Sequence, residues 1–345
     1  MFVGGDFQSP RLLLLLLLLL QETIKLKPRD FSKKINYNLL GLKTATIEDP
    51  SQSTGASLFY FPEGATAQCD LRGGSAATSE TSLLELGSMS CWIDGIVLAG
   101  GSTMGLAASD GVREALFKMR GDKAKNFDSI PSVPSAIVYD YGMRIHEGSS
   151  PLIYPTREMG LELMNNLSSD TFCVGRAGAG VTTTTNKISN RIWGGQGLDH
   201  QTTNQKFNNC NIVTAVVNNA VGNITLNQDQ PIIPPIRNSK IKVESSQKSN
   251  IQVRENTTIS TFITDLKLSN NELKRLAVQI HTSMASSIFP FHSFSDGDSL
   301  FAVSTQKVEL PKDWNFDLFN DFSIECCLSM RKAIQIGVLT ANLQN

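Results

Sequence analysis

The sequence predicts a layered domain that mixes helices and strands, of the α/β or α+β class. Three observations carry this expectation. Short apolar runs bounded by Gly, Asn or Pro recur through the middle of the chain. Amphipathic stretches with helical spacing lie between them. Hydrophobic residues make up 41% of the 345 and charged residues 18%, enough apolar material for a sizeable core.

Residues 1–35 read as an N-terminal extension and 36–345 as one domain. Within the extension, Leu12 to Leu20 is an unbroken run of nine leucines after Arg11. As a helix it would rise roughly 13–14 Å, less than half of the about 30 Å of bilayer hydrocarbon. Gln21-Glu22-Thr23 follows it where a signal peptide would carry a small-residue cleavage site. The tract reads as low-complexity leucine, or as a strand or helix docked on the core. Secretion or anchoring through it is the minority reading, and membrane association is not expected.

Ile93–Ala99, Ser135–Tyr141 and Asn211–Val217 read as buried strands. Gly105–Arg120 reads as a helix with Val112, Ala115, Leu116 and Met119 on one face. Thr225–Asn256 is rich in Asn, Gln, Ser, Lys and Pro, and reads as a long exposed loop of the kind that usually serves a function. A strongly β-forming run, Thr257–Thr264, follows at once. Ser269 and Glu272 then form a capping box, and Leu273, Leu276, Ala277, Ile280, Met284 and Ile288 follow helical spacing up to Pro290. Leu300–Ser304 reads as a strand, and a helix runs from about Asp317.

Charge and cysteines narrow the chemistry. A net charge of −1 offers no basic field for a phosphate backbone, so nucleic-acid binding is not expected. The six cysteines contain no C-x-x-C pair, and the four histidines no metal-ligand spacing. Reduced, mostly buried thiols point to a reducing compartment, the cytoplasm. No metal and no cofactor are expected. The glycine-rich Gly100–Gly105 lacks the Lys-Ser/Thr of a phosphate loop, and Gly175–Gly180 runs opposite to the dinucleotide fingerprint.

The candidate nucleophile sits where the polar loop meets the strand. A Thr hydroxyl can attack the carbonyl that precedes it, turning amide into ester, which water cleaves. The new N-terminal Thr then carries both a hydroxyl and an amine with a reference pKa of about 7.7–8, nucleophile and base in one residue. Asn256-Thr257 fits this chemistry. Its bland alternatives are a strand start or a glycosylation sequon.

Several motifs occur in order: Arg72-Gly-Gly74, Leu98-Ala-Gly-Gly-Ser-Thr-Met-Gly-Leu106, Gly175-Arg-Ala-Gly-Ala-Gly180, Val216-Val-Asn-Asn-Ala-Val-Gly222, Asn256-Thr-Thr-Ile-Ser260, Pro290-Phe-His-Ser293 and Asp296-Gly-Asp-Ser-Leu-Phe-Ala-Val303. Together they resemble the DmpA-type N-terminal-nucleophile peptidases, a family of β-aminopeptidases, D-aminopeptidases and nylon-oligomer hydrolases. The resemblance covers about residues 40 to 310. It implies an αββα sandwich and self-cleavage into fragments 1–256 and 257–345 that stay packed together. It implies a small amide or peptide substrate and a homo-oligomer, such as a tetramer. Residue by residue, it makes Thr257 the nucleophile, Asn219 an oxyanion holder and Tyr139 an active-site tyrosine. Lys187 becomes a cation near the nucleophile, and Asp296 and Asp298 a relay that orients it.

Asn256-Thr257 and Asp296-Gly-Asp298 look like the nylon-oligomer branch. Ser79-Glu80-Thr81 and Ile130-Pro-Ser-Val-Pro134 look like the aminopeptidase branch. Three functions therefore stand open: an endo-type hydrolase of linear amides such as 6-aminohexanoate oligomers, an aminopeptidase for β- or D-amino-acid N-termini, and an uncleaved relative with a binding or structural role.

Overall fold

The computed structural model describes residues 33–343, apart from 89, 122–128, 147, 149, 151, 190 and 226–255. The leucine tract, and all but the two ends of the loop 225–256, lie outside the described residues. Among the described residues, nine strands form the main hydrogen-bonded sheet. They are β1 (Lys43–Glu48), β2 (Gly55–Leu71), β3 (Thr78–Ser79), β4 (Trp92–Ala99) and β5 (Ser135–Ile137), then β6 (Gln196–Thr202), β7 (Asn211–Asn219), β8 (Thr257–Leu266) and β9 (Ser299–Val308). The helices are α1 (Ala107–Arg120), α2 (Tyr141–His146), α3 (Arg157–Leu163), α4 (Asn270–Ser283) and α5 (Phe316–Leu343). The strand order is β6-β7-β8-β9-β2-β4-β5-β3, with β1 also on β2. β8 pairs β9 in parallel and β4 pairs β5 in parallel, while the other ladders are antiparallel.

The 17-residue β2 turns this network into two stacked sheets. Its first half pairs β1 and β4, and Thr66–Leu71 pair β9, with a register break between Tyr60 and Ala65. Alternation along the strands then fills three cores. Ile259, Ile263, Phe301, Val303, Val213 and Phe59 point into the layer between the sheets. Phe262, Leu300, Ile212 and Val216 point the other way, against α4 and α5. Leu58, Val97 and Ala99 face α1 and α3. The result is helix, sheet, sheet, helix, the expected αββα sandwich. A strand at Lys34–Asn36, paired with Thr171–Cys173, straddles the boundary assigned to the N-terminal extension.

Local departures have simple causes. Only Ser135–Ile137 of the expected Ser135–Tyr141 strand is extended, and Tyr141 opens α2. Met119 is 67% exposed and is not on the buried face of α1, which runs Ala108, Val112, Leu116. Gly111 decides that face: a Cβ there would lie 1.9 Å from the Arg157 carbonyl oxygen, so the backbones of α1 and α3 meet through it. The helix after Ser269 stops at Ser283, and Ile288 belongs to a short strand with Asn223–Ile224. Among the described residues, no helix is long and apolar enough to cross a membrane. All six cysteines are free.

The capping box at α4 is complete. The Ser269 hydroxyl accepts from the Glu272 N–H, and Glu272 accepts from the Ser269 N–H. Ser269→Ala is expected to cost about 1 kcal/mol. A lower urea midpoint at unchanged slope would show it; an unmoved midpoint would mean the cap is redundant.

Candidate active site

Strand register assembles the site. In the β7–β8 ladder Asn219 lies opposite Thr257, and on the other side Asn256 bridges Asp296. Thr257, first residue of β8, is therefore held between Asn219 and the Asp296-Gly297-Asp298 turn. Asn256, Thr257, Thr258, Asp296 and Asp298 are fully buried.

The Asn256–Thr257 peptide is held in a specific way. The Thr257 hydroxyl donates to the carbonyl oxygen of Asn256. The backbone N–H of Gly297 donates to the same oxygen at 3.1 Å. The Asn256 side chain donates to Ser295. The side-chain oxygen and the carbonyl carbon of a self-attack are thus neighbours, with a donor already on the oxygen that would become negative.

Asn219 is locked by its neighbours. Its Oδ1 accepts from the Thr184 N–H and from Lys187 Nζ, both at 3.1 Å, and Nζ also reaches its carbonyl at 2.9 Å. Its Nδ2 donates to the carbonyl of Tyr139 at 2.8 Å, leaving a second Nδ2 hydrogen. Lys187 is delivered by the turn after Thr185, where its own N–H bonds to Val221 O and Asn186 accepts from the Ile224 N–H. The structure thus brings Asn219 and Lys187 together beside Thr257. Tyr139 reaches them through its carbonyl, and its ring packs on the core under α1.

The two aspartates differ. Asp298 Oδ1 accepts from the Thr258 N–H at 2.7 Å, one residue past the candidate nucleophile. Its Oδ2 accepts from the His292 backbone N–H and ring Nδ1, each at 3.0 Å. Asp296 Oδ2 accepts from the Ser293 N–H at 3.0 Å and hydroxyl at 2.5 Å. Burial first, and the charge of Asp298 second, push the Asp296 carboxyl up to about 6.

That shift gives a stability prediction. An acid raised from 3.8 to about 6 keeps its proton in the folded chain after the unfolded chain has lost it. Stability is therefore lost as pH rises from about 4 to about 6, and the cost is complete above that. In a Thr257→Ala background, Asp296→Asn is expected to raise stability at about pH 7.5, relative to its effect near pH 4, by on the order of 3 kcal/mol. Denaturant midpoints that move equally at both pH values would refute it.

Glycines of the Arg72-Gly-Gly74 motif serve the turn. A Cβ on Gly73 would lie 2.2 Å from Asp296 O and 2.3 Å from Asp298 N. Arg72 N–H bonds to Asp298 O and Ser75 N–H to Asp296 O. The Gly100–Gly101 turn is tied to Asp140, whose Oδ1 accepts from the Gly101 N–H while Arg144 neutralises it. The aminopeptidase-like segments also meet: Glu80 accepts from the Ser132 hydroxyl and the Val133 N–H, each at 3.1 Å. Residue-by-residue reasoning passed over Gly297, His292, Ser293 and His281. The first three lay inside quoted motifs, and His281 carried no signal beyond its place on a helix.

Fold and site together define an amide-bond hydrolase with the N-terminal-nucleophile hydrolase fold. The chain belongs to peptidase family S58, whose profile matches residues 41–342. It is 29% identical over 293 residues to the 6-aminohexanoate-oligomer endohydrolase of Paenarthrobacter ureafaciens, covering 80% of this chain and 76% of that one. It is 30% identical over 282 residues to an uncharacterized aminopeptidase of Mycobacterium leprae, covering 76% and 75%. Among solved structures, a Burkholderia sp. β-aminopeptidase superposes with a TM-score of 0.61 at 13% identity, over 91% of this chain and 89% of the other. The L-aminopeptidase D-Ala-esterase/amidase of Ochrobactrum anthropi, described as a variant of the Ntn hydrolase fold, gives 0.58 at 16%, over 91% and 90%. At these identities the superpositions speak for the fold alone.

Proposed function

We propose that the protein is a self-processing hydrolase of linear amides such as 6-aminohexanoate oligomers, with Thr257 as nucleophile. One observation carries this: the Thr257 hydroxyl lies on the Asn256 carbonyl, while the Gly297 N–H already donates to that carbonyl oxygen. In the first step Thr257 Oγ1 bonds to the Asn256 carbonyl carbon and the C–N bond breaks. The hydroxyl proton goes to the departing nitrogen. Water then hydrolyses the ester, leaving Asn256 as a carboxylate and Thr257 with a free amine. In turnover that amine takes the hydroxyl proton, the substrate acyl group passes to Oγ1, and the amine product leaves. Water releases the acid. The remaining Nδ2 hydrogen of Asn219 serves the substrate oxyanion, and Lys187 supports it.

Intact mass under denaturing conditions tests this. Fragments of 256 and 89 residues, the second starting at Thr257, are expected. A chain still whole after days would return the protein to the uncleaved, binding or structural reading. The aminopeptidase reading is favoured by the Glu80 contacts that join its two segments. An N-acetylated oligomer separates the two: an endo-hydrolase cleaves it and an aminopeptidase does not. The same reading places the protein in the cytoplasm as a homo-oligomer, a tetramer of cleaved units. Free cysteines and a buried Asn256, which leaves no room for a glycan, support the compartment.

A further inference from the structure

Behind Asp298 lies a line of polar groups, buried at His281 and Asp70 and half-buried at His292 and Arg72, that the proposed chemistry does not use. The His292 ring touches Asp298 through Nδ1, and an ionised carboxylate only accepts, so Nδ1 carries the proton. His292 adopts a left-handed backbone (φ 57°), which lets its own N–H reach the same carboxylate oxygen. Edge-on to this ring, with centroids 4.3 Å apart, stands His281, fully buried in the last turn of α4. Its Nδ1 meets Asp70 Oδ2 at 2.8 Å. Asp70 in turn meets Arg72 Nε at 2.6 Å, and Arg72 ties back to α4 through Thr282 Oγ1 and Val278 O. Phe291 walls both rings. The Nε2 atoms of both imidazoles are buried and have no protein partner.

We propose that His292, backed by His281 and Asp70, is a positioning residue that holds the Asp298 carboxylate on the Thr257–Thr258 backbone. The inference rests on Thr257 being the nucleophile. Its physical basis is geometric. Asp298 Oδ2 takes two donors from His292, the backbone N–H and ring Nδ1, so the carboxylate cannot turn without breaking one, and Oδ1 stays on the Thr258 N–H. The His292 ring stands against the edge of His281, which Asp70 fixes at the end of α4 and Arg72 ties back to that helix.

Two measurements test this. In the uncut Thr257→Ala protein, His292→Ala should speed hydrogen exchange at the Thr258 amide about tenfold or more, and His292→Asn should restore most of its protection. Thr258 exchange unmoved by His292→Ala overturns the proposal, and this readout survives even if the wild type never cleaves. In the active enzyme, His292→Ala should lower kcat about tenfold or more with KM little changed. His292→Asn, whose Nδ2 takes the place of Nδ1, should recover most of kcat. Equal losses in both variants would reduce His292 to a packing residue.

Discussion

Thr257→Ala should give one uncut chain of 37.6 kDa in place of two fragments, with amide hydrolysis lower by roughly 10³-fold or more. The size of the effect follows from what the substitution removes. In the proposed chemistry, both the bond-making oxygen of self-cleavage and the nucleophile of turnover sit on this one side chain. The fold should survive: Thr257 begins a strand bonded on both sides, and the Asn256 carbonyl keeps the Gly297 N–H. Thr257→Ser retains the oxygen without the methyl that fixes the rotamer, so slow cleavage is expected. Denaturing electrophoresis and mass spectrometry read all three proteins. Fragments from a folded Thr257→Ala protein would move the nucleophile elsewhere.

Gly297→Ala is expected to slow the appearance of fragments by about 10²–10³-fold. The added Cβ would lie 2.8 Å from Thr257 Oγ1, 2.8 Å from Ser75 O and 3.2 Å from Thr257 Cγ2. Relief requires the turn to retreat, which draws the Gly297 N–H off the Asn256 carbonyl and moves the hydroxyl. Both losses act on the first bond-breaking step. Gly297 is not in the left-handed region, so the backbone itself tolerates alanine. Quenched time courses of freshly translated chain would measure the rate. Cleavage at the wild-type rate would mean that the Gly297 N–H is not the donor that matters.

Much of this was legible in the amino acids. The apolar run Ile93–Ala99, the β-forming run Thr257–Thr264 and the capping box at Ser269 mark elements that local chemistry dictates. Helix ends and faces were less legible. Met119 has the spacing of the buried face of α1, yet the face turns toward Gly111, because two glycine-bearing helices approach too closely for side chains to intervene. Ile288 fits the helical period, yet it pairs with Ile224 across 64 residues of sequence. The site shows the same division. Thr257 and the aspartates were visible as chemistry-bearing types at the junction of loop and strand. Gly297 was not, since its contribution is a backbone N–H and an absence of side chain. Tyr139 was expected as an active-site tyrosine and meets Asn219 through its carbonyl, which no residue type can advertise.

β8 and β9 lie side by side in the sheet, flanked by β7 on one side and β2 on the other. The segment after residue 256 is thus threaded as an inlay into the segment before it. Neither piece holds an unbroken sheet, so neither is a folding unit, and prying them apart means tearing two ladders at once. In the proposed self-processing, the register of β7 with β8 sets Asn219 opposite Thr257, so the chain would finish its tertiary structure before the junction reacts. Scission at that peptide would then act as a one-time stamp of correct assembly, and the uncut fraction in a cell would count the molecules that have not yet passed it.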